Sequence, residues 1–166
     1  MTETTGLRIG HGYDAHRFVD PAQDSRPLVL GGITIPDHAG LLAHSDGDAI
    51  IHALCDALLG AVGEVDIGQH FPDNDPQFEA ADSAGLLQRV QTLLAGDGWQ
   101  LINADITVLA QTPRMAPHRE AMCERLAGVL GCQRDQINIK ASTTEKMGFV
   151  GRREGIAVHA VVLVQR

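Results

Sequence analysis

From residue 81 to the end, two kinds of apolar period alternate along the chain, and this limits the fold more than any other feature. Ala81 to Ala95 sets Leu86, Leu87, Val90, Leu93 and Leu94 at helical spacing, with Gly96 near its end. Ile102 to Ala110 is an apolar-rich strand, and Pro117 to Leu130 is a helix stopped by Gly131. Ile137 to Ala141 is another strand, and Ile156 to Val164 is a nearly continuous apolar run that reads as a buried one. Strands and helices in such succession share one sheet and cover it. The expected fold class is α/β (an α+β sandwich), with a mixed β-sheet and helices packed on one face. The first half fits that frame. Leu7 to Phe18 reads as a strand running into a loop, and Asp46 to Gly60 as a helix. Leu28-Val29-Leu30 and Ile33-Thr34-Ile35 flank Gly31-Gly32, the signal of a small β-hairpin near the N-terminus.

A length of 166 residues predicts a single catalytic domain, 1–166, large enough to bury a core without staples. Aromatic residues make up only 4%, so that core rests on Leu, Ile, Val and Ala. The formal net charge of −8 argues against a general nucleic-acid binder or a membrane-surface protein, either of which needs a basic footprint. A polyanionic ligand is still compatible with such a chain when metal ions and helix N-termini supply local positive charge. Cys55, Cys123 and Cys132 are odd in number and lack C-x-x-C spacing, which predicts free thiols in a reducing compartment. The first twenty residues carry no apolar signal core and no stretch has the length of a membrane span, so a cytoplasmic location is expected.

The chemistry concentrates in a few segments. In an extended strand, Asp14 and His16 project from one face. With an imidazole from the helix that follows His44-Ser45-Asp46-Gly47-Asp48, where His52 stands, they make a three-ligand zinc site whose fourth position is open, as in catalytic zinc centres. The same residues have plainer readings. Asp46 or Asp48 serves as the helix N-cap, and His52 is compatible with a satisfied core histidine. Asp66 to Asp75 is rich in Gly, Pro, Asp and Asn and reads as a loop, either lining a site or merely turning the chain. Ala110 to Ala116 joins a strand to a helix, where α/β sheets bind ligands, although an ordinary connection with Pro117 in the first helical turn fits as well. Ser142-Thr143-Thr144-Glu145-Lys146 offers hydroxyl donors to phosphate and a carboxylate to a divalent ion. Alternatively, Thr143 or Thr144 caps a short helical turn with Glu145 in support.

Together these segments resemble the 2-C-methyl-D-erythritol 2,4-cyclodiphosphate synthase family of the non-mevalonate isoprenoid pathway, from Arg8 to Val164. The resemblance rests on Gly12-Tyr13-Asp14-Ala15-His16-Arg17-Phe18, on Ala43 to Asp48 with His52, and on Asp66-Ile67-Gly68 with Phe71-Pro72-Asp73. Thr143 to Lys146 with Gly148-Phe149 and Gly151-Arg152 completes it. It implies a metal-dependent phosphorus–oxygen lyase that cyclises 4-diphosphocytidyl-2-C-methyl-D-erythritol 2-phosphate and releases CMP. The resemblance further implies Zn2+, or another divalent transition metal, on Asp14, His16 and His52, with Mg2+ or Mn2+ on Glu145. His44 and Thr143 would stabilise the transition state. Asp14, His16, His44, Ser45, Asp66, Ile67, Gly68, Phe71, Pro72, Asp73, Asn74 and Asp75 would bind the substrate, with Ser45, Asp66, Gly68 and Phe71 to Asp75 as the walls of the methylerythritol pocket. Ala110, Gln111, Thr112, Pro113, Arg114, Met115 and Ala116 would hold cytosine, and Ser142, Thr143, Thr144, Glu145, Phe149 and Arg152 the phosphate side.

By the same resemblance the chain forms a cyclic homotrimer with active sites between subunits. Gly148, Phe149, Arg152 and Glu154 would line the mouth of an axial channel that accepts an isoprenoid diphosphate; mere packing by Phe149 and Arg152 is the plainer alternative. Two other functions compete. A zinc-dependent phosphoesterase uses the same ligands to activate water, with His44 or Asp46 as base. A non-catalytic nucleotide-binding or metal-storage module leaves two separate metal-ligand groups beside phosphate donors unexplained.

Overall fold

The computed structural model describes residues 6–71 and 82–166. Its frame is a four-stranded mixed sheet, in the order β1 (Leu7–Arg17), β6 (Gly155–Gln165), β4 (Gln100–Leu109) and β5 (Ile137–Ser142). β1 and β6 pair antiparallel from Leu7 opposite Gln165 to Arg17 opposite Gly155. β6 pairs antiparallel with β4, and β4 pairs parallel with β5. A parallel neighbour requires a crossover, and the helix α4 (Arg119–Leu130) supplies it. The expected mixed sheet with helices is thus the architecture of the chain.

Helix α1 (Ala49–Val62) lies on β1 and β6, while α3 (Ser83–Gly96) packs against α1 and α4. Ten of the α1 side chains are buried, so the helix is apolar nearly all round and sits between the sheet and α3. The close approach depends on two glycines of β1. A Cβ on Gly10 would meet the Ala57 carbonyl oxygen at 1.8 Å, and one on Gly12 would meet that of Ala53 at the same distance. Any larger residue pushes α1 off the strand that carries Asp14 and His16.

The hairpin β2 (Pro27–Leu30) and β3 (Ile33–Ala39) turns through Gly31 (φ +59°) and Gly32 (φ +73°), the left-handed pair that a two-residue turn of this kind favours. Asp48, fully buried, accepts from the Gly31 and Gly32 N–H groups at 2.9 and 2.6 Å and from Ile51 N–H at 3.1 Å. Burial pushes its carboxyl pKa up, and those three donors offset only part of the rise. Asp48 therefore caps α1 and ties the hairpin to it in one contact.

Several boundaries differ from expectation. α1 begins at Ala49 rather than Asp46, because Asp48 and not Asp46 is the cap. α4 begins at Arg119, leaving Pro117 in the preceding turn. α3 begins at Ser83 with Asp82 as its cap, and Ala81 lies outside the described residues. The segment after Asp66 is not all loop: Ile67–His70 forms a single-turn helix, α2, capped by Asp66, whose carboxylate accepts from Gln69 N–H. A one-turn helix carries no detectable period. β6 is not buried on both faces along its whole length. Val161 is 43% exposed, and the facing positions on β1 leave Ile9 72% and Tyr13 49% exposed, because the helices cover the opposite face. Among the described residues no helix is long and apolar enough to cross a membrane.

Candidate active site

Asp14 and His16 sit on the same face of β1 because they are two residues apart, and α1 brings His52 over them. Asp14 Oδ2 lies 2.9 Å from His16 Nε2 and 3.1 Å from His52 Nδ1. One donor atom from each of the three residues falls within 4.8 Å of the others, a grouping that could hold a metal ion. Zinc bonds of about 2.0–2.1 Å at tetrahedral angles hold ligand atoms roughly 3.3 Å apart, so the three donors need little movement to share an ion. The donor set, two imidazoles and a carboxylate, is one that zinc accepts.

Second contacts orient the ligands. His16 Nδ1 lies 3.0 Å from the Leu42 carbonyl oxygen, to which it donates, so Nε2, facing Asp14, is the ring nitrogen that would meet a metal. Burial alone would raise the Asp14 pKa, but hydrogen bonds and charge from His16 and His52 hold it at about 2. Asp14 is consequently an ionised ligand at neutral pH.

A cleft of roughly 670 Å³ opens over this group. Its walls include His44, Ser45, Ile67, Gly68 and Phe71, which the sequence marks as site residues, together with Leu42, Asp56 and Leu86, which it does not. Asp56 stands one helical turn beyond His52, so the i, i+4 spacing offered a signal for it. It is half-buried, burial raises its pKa, and its carboxylate accepts from Ile67 N–H at 2.8 Å, anchoring α2. Asp66 spends its carboxylate capping α2 and is not among the residues lining this cleft. Pro72, Asp73, Asn74 and Asp75 lie outside the described residues.

The other expected site residues gather at a second place, the carboxyl ends of the parallel strands β4 and β5. Ala110 N–H donates to Ser142 O at 3.0 Å, which joins the Ala110–Ala116 loop to the Ser142–Glu145 loop. Gln111 Oε1 is buried there without a hydrogen-bond partner among the described residues. Thr143 Oγ1 donates to Glu145 Oε1 at 2.9 Å, and Thr144 Oγ1 donates to Met147 O at 2.6 Å. Neither threonine caps a helix: the following one-turn helix, α5 (Gly148–Gly151), starts after Met147. Glu145 (φ +52°) and Lys146 (φ +66°) both hold left-handed backbone, which non-glycine residues adopt uncommonly and which recurs at functional sites. None of these loop residues lines the cleft over Asp14, His16 and His52 within the single chain.

The YgbB family matches residues 7–165, almost every described residue and both clusters. The chain belongs to that family. A relative from Ectopseudomonas mendocina, named 2-C-methyl-D-erythritol 2,4-cyclodiphosphate synthase, is 57% identical over 158 residues, which is 95% of this chain and 98% of the relative. Among solved structures, the bifunctional IspDF of Campylobacter jejuni superposes with a TM-score of 0.91 at 42% identity, over 98% of this chain and 43% of that longer one. IspF of Plasmodium falciparum, in complex with CDP, superposes with a TM-score of 0.83 at 35% identity, over 98% of both chains. Membership in a family of lyases acting on phosphorus–oxygen bonds makes this chain an enzyme of isoprenoid biosynthesis.

Proposed function

We propose that this chain converts 4-diphosphocytidyl-2-C-methyl-D-erythritol 2-phosphate into 2-C-methyl-D-erythritol 2,4-cyclodiphosphate and CMP, working as one catalytic domain over its whole length. The observation that carries this reading is the convergence of Asp14, His16 and His52 on one point under a cleft, in a chain of this family. An oxygen of the 2-phosphate attacks the β-phosphorus, the bond from that phosphorus to the bridging oxygen breaks, and CMP leaves with the electron pair. No water enters the products. Such a reaction asks the protein for alignment of two anionic groups and for neutralisation of the charge that builds on the transferred phosphoryl group.

Asp14, His16 and His52 would hold Zn2+ and Glu145 would hold Mg2+ or Mn2+, and these ions supply Lewis acidity and a template for phosphate oxygens. Residues of the chain do the rest. His44, exposed at the cleft, and Thr143 hydrogen-bond the phosphates as negative charge grows on them. Ser45, Ile67, Gly68 and Phe71 form the wall against the methylerythritol moiety, with Asp66 fixing α2 behind them. Ala110 to Ala116 read cytosine through backbone groups and the unpaired Gln111 carbonyl, and Ser142, Thr144, Phe149 and Arg152 complete the phosphate side.

The two clusters are joined by assembly. The uncovered sheet face, with Ile9, Tyr13 and Val161 together, is an apolar surface that a closed ring of three identical chains would bury. Such a ring sets the metal cluster of one chain against the cytidine-side loops of the next. Arg152, which donates to Glu154 at 2.8 Å, would face the axis, where an isoprenoid diphosphate could exchange for that carboxylate. Co-elution of a prenyl diphosphate with particles of three chains checks that binding. All three cysteines are free, which supports a place in a reducing compartment such as the cytoplasm.

Phosphorus NMR of the reaction tests the function. The expected spectrum has two mutually coupled diphosphate resonances and one CMP singlet. A persisting 2-phosphate singlet beside a newly hydrolysed phosphate would instead identify a phosphoesterase.

A further inference from the structure

At Nε2 of His52, across the ring from the nitrogen that faces Asp14, stands a pair of side chains with no part in the reading above. Ser83, at the start of α3, is wholly buried, and its Oγ lies 3.0 Å from His52 Nε2. The Ser83 hydroxyl donates to Asp46 Oδ1 in a short hydrogen bond, and Ser83 N–H donates to Asp46 Oδ2 at 3.1 Å. Asp46 Oδ1 also accepts from Asp48 N–H at 3.1 Å. Asp46 is therefore locked in place by three donors and is not available as a base in the cleft. Ser45 Oγ, at 3.3 Å, is a second and longer neighbour of the same His52 nitrogen.

We propose that Asp46 and Ser83 are positioning residues that hold the His52 ring with Nδ1 toward Asp14 and keep an acceptor ready for Nε2–H, the tautomer that metal binding through Nδ1 needs. A hydroxyl has one proton, and an ionised carboxylate can only accept. Asp46 takes the Ser83 proton, so Ser83 presents a lone pair to His52 Nε2. Without a metal, Nδ1 faces the Asp14 carboxylate at 3.1 Å as a donor; a metal on Nδ1 sends the ring hydrogen to Nε2, where the Ser83 lone pair accepts it. Were Asp46 absent, Ser83 could donate to Nε2 and the ring proton would stay on Nδ1, the position the metal needs. The arrangement is a carboxylate–hydroxyl–histidine relay, an outer shell of the kind that raises the basicity of metal-bound imidazoles. It extends the ligand set from β1 and α1 to α3, so the docking of α3 becomes part of the metal site.

The inference rests on the metal site proposed above, and the experiment separates the two. Zinc affinity is measured by competition with a fluorescent chelator for the intact protein, Ser83→Ala and Asp46→Ala, alongside melting of the metal-free forms. The expected result is zinc binding weakened about 10- to 100-fold in both variants, with each metal-free variant still folded. Affinities within about twofold of the unaltered protein overturn the relay and leave the metal site standing. An unaltered protein that takes up no zinc overturns both. If either variant fails to fold, nitrogen-15 NMR of histidine in the zinc-loaded unaltered protein decides: ligation of His52 through Nδ1 with a protonated Nε2 supports the relay, and ligation through Nε2 overturns it.

Discussion

Replacing His52 with alanine should empty the metal site and lower turnover by roughly a thousandfold or more, the scale expected when several kcal/mol of electrostatic stabilisation are lost. Asp14 and His16 come from one strand, and the third donor comes only from α1, held against β1 by the bare backbone of Gly10 and Gly12. No neighbouring group replaces it easily. His44 is exposed at the cleft, and it is not part of the Asp14–His16–His52 donor cluster. Because His52 is only half-buried, its loss should cost the fold less than it costs the site. Elemental analysis of zinc per chain and the steady-state rate check this together. A His52→Ala protein with full zinc and full rate would show that the ligand set is wrong.

Glu145→Gln is expected to keep zinc and fold while lowering the rate roughly 100- to 1000-fold at ordinary magnesium concentrations, the scale seen when one stabilising group for developing charge is removed. The carboxylate is exposed, received by the Thr143 hydroxyl, and displayed on left-handed backbone. An acidic chain that binds a diphosphate has to screen it with cations, and glutamine cannot hold one as a carboxylate does. Affinity for CMP alone should fall less than the rate, since neutralisation matters most in the transition state. An unchanged magnesium dependence would remove Glu145 from this role. The same variant probes the assembly. Mixed with His52→Ala subunits it should recover activity, because some interfaces then pair two intact halves. Absence of recovery in trimers shown by mass spectrometry to be mixed would place each site within one chain.

Much of this was legible in the residues. Alternation of apolar periods carried the sheet and its helices, and Gly31-Gly32 carried the hairpin, because local patterns decide both. The two-residue step from Asp14 to His16 carried two of the three residues of the candidate metal cluster, since strand geometry fixes it. What stayed hidden depended on distant contacts. Asp46 and Asp48 are equivalent caps on paper, and only the Gly31 and Gly32 N–H groups make Asp48 the one that is used. The apolar run of β6 reads as buried, but which face the helices cover is a matter of tertiary packing. Ser83 gave no signal because its partners stand 31 and 37 residues earlier in the chain. Ala110–Ala116 and Ser142–Glu145 were legible as loops after strands, yet their separation from the cleft over Asp14, His16 and His52 appears only when β4 and β5 are seen to end elsewhere on the sheet.

The central claim, that the nucleophile at this metal site is the substrate's own phosphate, is tested most directly by turnover of the cytidyl substrate in oxygen-18 water with mass spectrometry of both products. The expected result is unlabelled CMP and an unlabelled cyclic diphosphate, one water lighter than the 2,4-bisphosphate that hydrolysis would give. One heavy oxygen in CMP or in a 2,4-bisphosphate formed in place of the ring would contradict it and make the Asp14–His16–His52 cluster a water-activating centre.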